Sequence, residues 1–130
     1  AVEAAEKLCA DAGAKKVVRL PVSGAFHSPL MAFAVDGFRP ALEAVAFNAP
    51  TVPVIQNVTA REAGDPAALK SGLLAQLTAS VRWVESMQRA QELGVAEALE
   101  VGAGKVLMGL LRGITRDIKV TPVEKPEDLA

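Results

Sequence analysis

At 130 residues the chain is about one domain, and 51% apolar with 22% charged residues excludes a disordered or collagen-like polymer. Fourteen basic against fifteen acidic side chains leave a net charge of −1, which speaks against nucleic acid as a partner. The single cysteine, Cys9, excludes an internal disulfide and a cysteine-rich metal centre and fits a reducing cytoplasm, while the lack of a long apolar run or signal segment speaks against a membrane.

In chain order, AVEAAEKLCADAG (residues 1–13) places Val2, Ala5, Leu8, Cys9 and Ala12 at helical spacing and stops at Gly13. Cys9 reads as a small packed hydrophobe on that face. The predicted helix begins at Ala1 without a methionine, which suggests a piece of a longer polypeptide. KKVVRLPV (15–22) is a β-branched run closed by Pro21 and predicts a strand. PLMAFAVDGFRPALEAVAF (29–47) returns to helical spacing through Leu30, Met31, Phe33, Ala34, Phe38, Leu42 and Val45, with Pro40 expected to kink or divide the helix. APTVPVIQNVT (49–59) reads as a strand leaving the core at Gln56 and Asn57.

TAREAGDP is a polar turn in which Asp65 caps a helix with Pro66 at its first position, continued by AALKSGLLAQL. SVRWVESMQRAQELG predicts a helix with Ser80 as candidate cap, Val84, Met87 and Leu93 as its apolar face, and Gly94 as its stop. VAEALEVG is a short strand, GKVLMGLLRGI a helix and IKVTPV a final strand. Strands separated by helices imply crossover connections, so the fold class is α/β with a mostly parallel sheet.

Two stretches invite a chemical reading. VGAGK (101–105) resembles a phosphate-cradling loop, but Leu99 stands where the first glycine belongs and Val106 where a metal-holding hydroxyl belongs. Gly102 and Gly104 are therefore expected to make a tight strand-to-helix turn, whose amides would still favour a nearby anion. The other stretch is PVSGAFHSPLM, which holds the only histidine, His27. It follows a predicted strand end, where open α/β sheets place ligand sites, and imidazole titrates near neutrality. A lone histidine is also commonly structural. As a general base it needs a nucleophile about 3 Å away and a group fixing its other ring nitrogen. No serine here sits in a Gly-x-Ser-x-Gly elbow, and Ser28, adjacent in sequence, has the wrong geometry.

LPVSGAFHSPLM, FNAPTVPVIQNVT, LLAQLTASVRW and LEVGAGKVLMGLL occur in the order seen near the end of malonyl-CoA:acyl-carrier-protein transacylases. The chain resembles about the last two-fifths of such an enzyme. The resemblance implies the C-terminal part of a hydrolase-like, parallel-sheet acyltransferase domain (22–130), preceded by the last helix and strand of a ferredoxin-like subdomain (1–21). It also implies a cytoplasmic enzyme of fatty-acid synthesis that moves malonyl from malonyl-CoA to acyl carrier protein through a malonyl-serine ester, with no metal and no cofactor.

Position by position, His27 matches the base of the family's serine–histidine pair, and Gln76 the residue whose backbone carbonyl holds the other ring nitrogen. Asn57 matches a polar residue of the pocket wall, and Phe26 a bulky residue that goes with malonyl rather than methylmalonyl. Lys15 and Lys16 match a basic pair facing the acidic carrier protein. Read without the family, Phe26 is equally core, Gln76 and Asn57 are helix-surface and turn residues, and the two lysines a solvated pair.

The family's serine elbow, the arginine that pairs with the malonyl carboxylate and the glutamine of its oxyanion loop are not among these residues. This segment alone is therefore expected to be inactive, its serine lying on the remainder of the enzyme. A non-catalytic remnant that docks carrier protein, and a polyketide-type acyltransferase with another extender unit, are the alternatives.

Overall fold

The structure is a computed structural model that describes residues 1–19 and 21–129. Leu20, within the predicted strand 15–22, and Ala130, at the end of the predicted second subdomain, lie outside the described residues.

Helix α1 spans Val2–Asp11, α2 Ala32–Ala44, α3 Pro66–Gln76, α4 Trp83–Glu92 and α5 Val106–Arg112. A 3-10 turn, Pro29–Met31, leads into α2, and another, Pro126–Leu129, ends the described chain. Strands β1 (Ile55–Gln56) and β2 (Arg61–Glu62) form an antiparallel pair, and β3 (Glu97–Val101) and β4 (Lys119–Val123) a parallel one joined through α5. The mixed α/β class holds, but the expected larger parallel sheet is two separate pairs of strands among the described residues. No described helix is long and apolar enough to cross a membrane.

Local chemistry explains the elements that form as expected. The Asp65 carboxylate accepts from the Ala68 amide at 2.8 Å with Pro66 at the first helical position, which starts α3. Helix α4 ends as Gly94, at φ 82°, lets its amide reach the Gln91 carbonyl while the Val95 amide reaches that of Ala90. The start of α4 departs from expectation: Arg82, not Ser80, precedes its first turn, and no side chain caps it. The face it buries is also shifted, with Ser86 buried and Val84 exposed.

Pro40 neither divides nor ends α2. The hydrogen bond it lacks would have gone to the Asp36 carbonyl, on a solvent-exposed stretch where water can replace it, and buried Leu42 anchors the turn beyond. The predicted strand 15–22 is irregular over its described residues, because β-branched propensity cannot make a ladder without a partner strand. Arg19 ties it to α1, donating through Nε and Nη2 to Glu6 at 3.1 Å each. The predicted strand 49–59 shrinks to Ile55–Gln56, and the polar turn after it contributes β2. Cys9 is exposed rather than packed, as are Val2 and Leu8 on the same helix.

The buried apolar residues are few: Leu42, Ala60, Ala63, Leu111, Ile118 and Val123. Between β2 and α4 the largest polar tie is Arg89, whose guanidinium grips Glu62 at 2.8 and 3.0 Å and Glu92 at 2.8 Å. That grip holds the Glu62 carboxyl at a pKa of about 2, against an ordinary 4.5. A carboxyl depressed in the folded state adds stability above its unfolded pKa and loses it as the pH falls towards the folded one. Urea midpoints of the full chain should therefore drop between about pH 4.5 and 2, and less steeply in Glu62→Gln. Equal slopes for the two proteins would remove the pair from the acid response.

Candidate active site

The loop that carries His27 is built by its neighbours. The Ser28 hydroxyl donates to the Ala25 carbonyl at 2.7 Å and accepts from the Leu30 amide at 3.3 Å, closing the turn that starts Pro29–Met31. Ser28 is thus a turn builder, which agrees with discounting it as a nucleophile. The Phe26 ring lies over Gly24, where a Cβ would come within 3.3 Å of it. His27 itself has φ 60°, a left-handed conformation that is uncommon for a residue with a side chain and concentrates at functional positions.

The partner of His27 comes from a helix end. An α-helix cannot use its last carbonyls internally. At the end of α3 the Ala75 carbonyl accepts from the Thr78 and Ala79 amides, and the Gln76 carbonyl accepts from His27 Nδ1 at 2.8 Å. A carbonyl can only accept, so Nδ1 carries the hydrogen. The lone pair of the neutral ring is then on Nε2. Gln76 Nε2 also lies 3.2 Å from Nδ1 and donates to the Ala79 carbonyl at 3.2 Å.

The connection from α3 to α4, residues 77–82, holds a second expected residue. The Arg82 amide donates to the Asn57 carbonyl at 2.9 Å, and its guanidinium to the Thr59 carbonyl at 3.1 Å and Glu85 at 3.1 Å. Glu85 is held below the usual carboxylate range by its own backbone amide and then by Arg82. Gln56, next in line, reaches back to the Leu69 carbonyl on α3 at 2.9 Å, across Gly72, where a Cβ would collide with its amide. His27 and Asn57 are therefore fixed to two ends of one short connection, with Phe26 beside the ring along the chain. Lys15 and Lys16 lie on the exposed irregular segment after α1. The sequence marks Gln56 only as the point where a strand leaves the core, and it gives Arg82 no role; an arginine beside a tryptophan and a glutamine before an asparagine carry no distinguishing pattern.

At VGAGK the expected strand-to-helix turn forms, with positive φ at both glycines, 138° at Gly102 and 87° at Gly104. The expected nearby anion is supplied by the chain itself. Buried Glu100 accepts from the Leu107 and Met108 amides at 2.8 and 2.9 Å, so the start of α5 is already occupied. Among the described residues no group of three or more histidine, cysteine or acidic side chains is placed to hold a metal ion.

The geometry describes a histidine held in one tautomer by a helix end, on an α/β scaffold. No family model matches the chain. It is 40% identical over 128 residues to the malonyl CoA-acyl carrier protein transacylase of Synechocystis, covering 98% of this chain and 44% of that protein. The crystal structure of a malonyl-CoA:acyl carrier protein transacylase from Xanthomonas oryzae superposes with a TM-score of 0.90 at 36% identity, over 98% of this chain and 41% of that one. A malonyl-transacylase solved in complex with a type II PKS acyl-carrier protein gives the same TM-score, identity and coverage. The chain thus resembles malonyl-CoA:acyl-carrier-protein transacylases along nearly its whole length, as its four motifs indicate, while spanning only 41–44% of theirs.

Glu100→Ala leaves two helix-end amides without their buried acceptor and should cost about 2 kcal/mol in urea denaturation. A loss near zero would mean that water replaces the carboxylate there.

Proposed function

We propose that this chain is the histidine-bearing part of an acyltransferase that moves a malonyl group from malonyl-CoA to the thiol of acyl carrier protein, in the cytoplasm and as a step of fatty-acid synthesis. The observation that supports it most directly is the 2.8 Å bond from His27 Nδ1 to the Gln76 carbonyl, which leaves Nε2 free to act as a base. The nucleophilic serine is on the remainder of the enzyme, since none of the 130 residues forms the required elbow. The share of the relatives' length left uncovered, and the exposed Val2, Leu8, Leu99 and Val101, fit a chain that packs against that remainder.

In this reading Nε2 takes the serine proton as Oγ attacks the malonyl thioester carbonyl. The tetrahedral intermediate collapses, the C–S bond breaks, and Nε2–H returns the proton to the leaving coenzyme A thiolate. The carrier-protein thiol then repeats the sequence on the malonyl-serine ester, giving its proton to Nε2, and the serine leaves with it. The C-terminal end of α3 favours the imidazolium formed at each stage. Phe26 and Asn57 line the acyl pocket, and Lys15 and Lys16 raise the encounter rate with the acidic carrier. The PKS carrier protein bound by the third similar protein makes a polyketide carrier the second reading for the acceptor.

In the complete enzyme, His27→Ala should slow malonyl-serine formation, read by mass spectrometry of the intact protein, by about 100-fold or more. An unchanged rate would sink the role of His27. Phe26→Ala should relax the preference for malonyl-CoA over methylmalonyl-CoA by about 10- to 100-fold in competition, the worth of one methyl in an apolar pocket. An unaltered ratio would take Phe26 out of the pocket.

A further inference from the structure

The backbone carbonyl of residue 76 is present whatever side chain stands there, yet the glutamine side chain is also drawn in beside the ring. Its amide nitrogen lies 3.2 Å from His27 Nδ1 and donates to the Ala79 carbonyl at 3.2 Å. Its oxygen is buried and has no hydrogen-bond partner among the described residues. A buried amide oxygen left without a donor is costly, and such a group calls for a physical reason.

The nitrogen next to the ring makes no bond there in the neutral state. Nδ1 already carries a hydrogen directed at the Gln76 carbonyl at 2.8 Å, so two donors face each other at 3.2 Å. The reverse tautomer would accept from the amide but would set the Nδ1 lone pair against a carbonyl oxygen at 2.8 Å, the shorter and worse contact. Rotation about the last side-chain torsion of glutamine is broad and roughly two-fold, so the two ends of the amide exchange without leaving the site. The exchange loses the bond to Ala79 and places Oε1 against Nδ1–H. It is unfavourable beside a neutral ring and favourable beside an imidazolium, whose hydrogens are stronger donors.

We infer that the Gln76 side-chain amide is a positioning group that follows the charge of His27. Its nitrogen braces the 77–82 connection through Ala79 while the ring is neutral, and its oxygen becomes a second acceptor for Nδ1–H when Nε2 has taken a proton. This rests on the proposed role of His27 as the base and adds a residue that stabilises the protonated form. The charged side chains on the adjoining elements are Asp36, Arg39 and Glu43 of α2, Lys70 of α3 and Arg82 before α4. Lys70 donates to the Glu43 carbonyl and Arg82 to Glu85 and the Thr59 carbonyl. Among the described residues His27 bonds to Gln76 alone.

The chain has one histidine, so ring ¹⁵N resonances of the full chain report His27 without overlap. Titrated by NMR, Gln76→Met should lower its midpoint by about 0.5–1 pH unit, and Gln76→Glu should raise it by about 1 unit or more. In the complete enzyme Gln76→Met should slow malonyl-serine formation about three- to tenfold, with the acid limb of the pH profile moving with the NMR midpoint. Identical midpoints in all three proteins would overturn the inference. If Gln76→Met does not fold, Gln76→Glu decides alone, and an unshifted midpoint there overturns it too. His27→Ala with undiminished ester formation would sink the proposed function, while the NMR titration would still judge the amide.

Discussion

The site depends on one consequence of helix geometry: the carbonyls of the last turn point out of the helix with no internal donor to meet them. At the end of α3 that surplus acceptor falls at Gln76, and the His27 ring meets it. The contact joins residues 49 positions apart and selects the tautomer. It also sets the ring against the negative end of the helix, where a positive charge is best tolerated. A side-chain carboxylate at Gln76's place would achieve the second effect more strongly. A backbone carbonyl orients the ring without adding a full charge, and it survives substitution.

The same logic runs through the other helix ends. Asp65 meets one first-turn amide of α3, that of Ala68, from the residue before the helix, and Glu100 meets two of α5 from a neighbouring strand. In the second case the acid comes from outside the turn, so Gly102 and Gly104 need only bend the chain. A glycine-rich turn into a helix suggests an anion to be bound, and here the anion is a side chain of the protein. Because Glu100 spans from β3 to α5, it also ties the crossover together, which a bound phosphate would do only when present.

How much of this was legible depended on range. Asp65 with Pro66, Gly94 as a stop, and the β3–α5–β4 order were readable because each is decided by neighbours a few residues away. Ser80 was misread as a cap because a hydroxyl before a helix is a weak signal when Arg82 can anchor the same segment on Asn57 and Thr59. The strand predicted at 15–22 failed for a different reason: the residues have the propensity, but a strand is a property of two segments. Of the site, His27 could be singled out as the only imidazole past a strand end. The Gln76 contact could be anticipated only through resemblance to longer proteins. Nothing local distinguishes the side chain of Gln76, or Gln56 lying across Gly72, since both owe their roles to elements that meet only in the fold.

The β3–β4 pair shows on which side the sheet is open. Lys119 donates to the Ala96 carbonyl and Gly102 to that of Val123, so alternate residues of β4 turn their amides towards β3 and the others outward. Pro122 is one of the outward residues, and it has no amide hydrogen. A further strand on that side would lack a rung of its ladder, which is how natural sheets mark an edge. On β3 the residues of one face, Leu99 and Val101 among them, stand exposed. Parallel strands are stable when both faces are covered. The surface that most needs covering therefore adjoins the strand leading to Glu100 and α5, whereas the contact that orients His27 closes within the chain. On the proposed reading, the histidine half of the dyad is preorganised by α3 within the chain, and the serine half comes from the remainder of the enzyme packed against it.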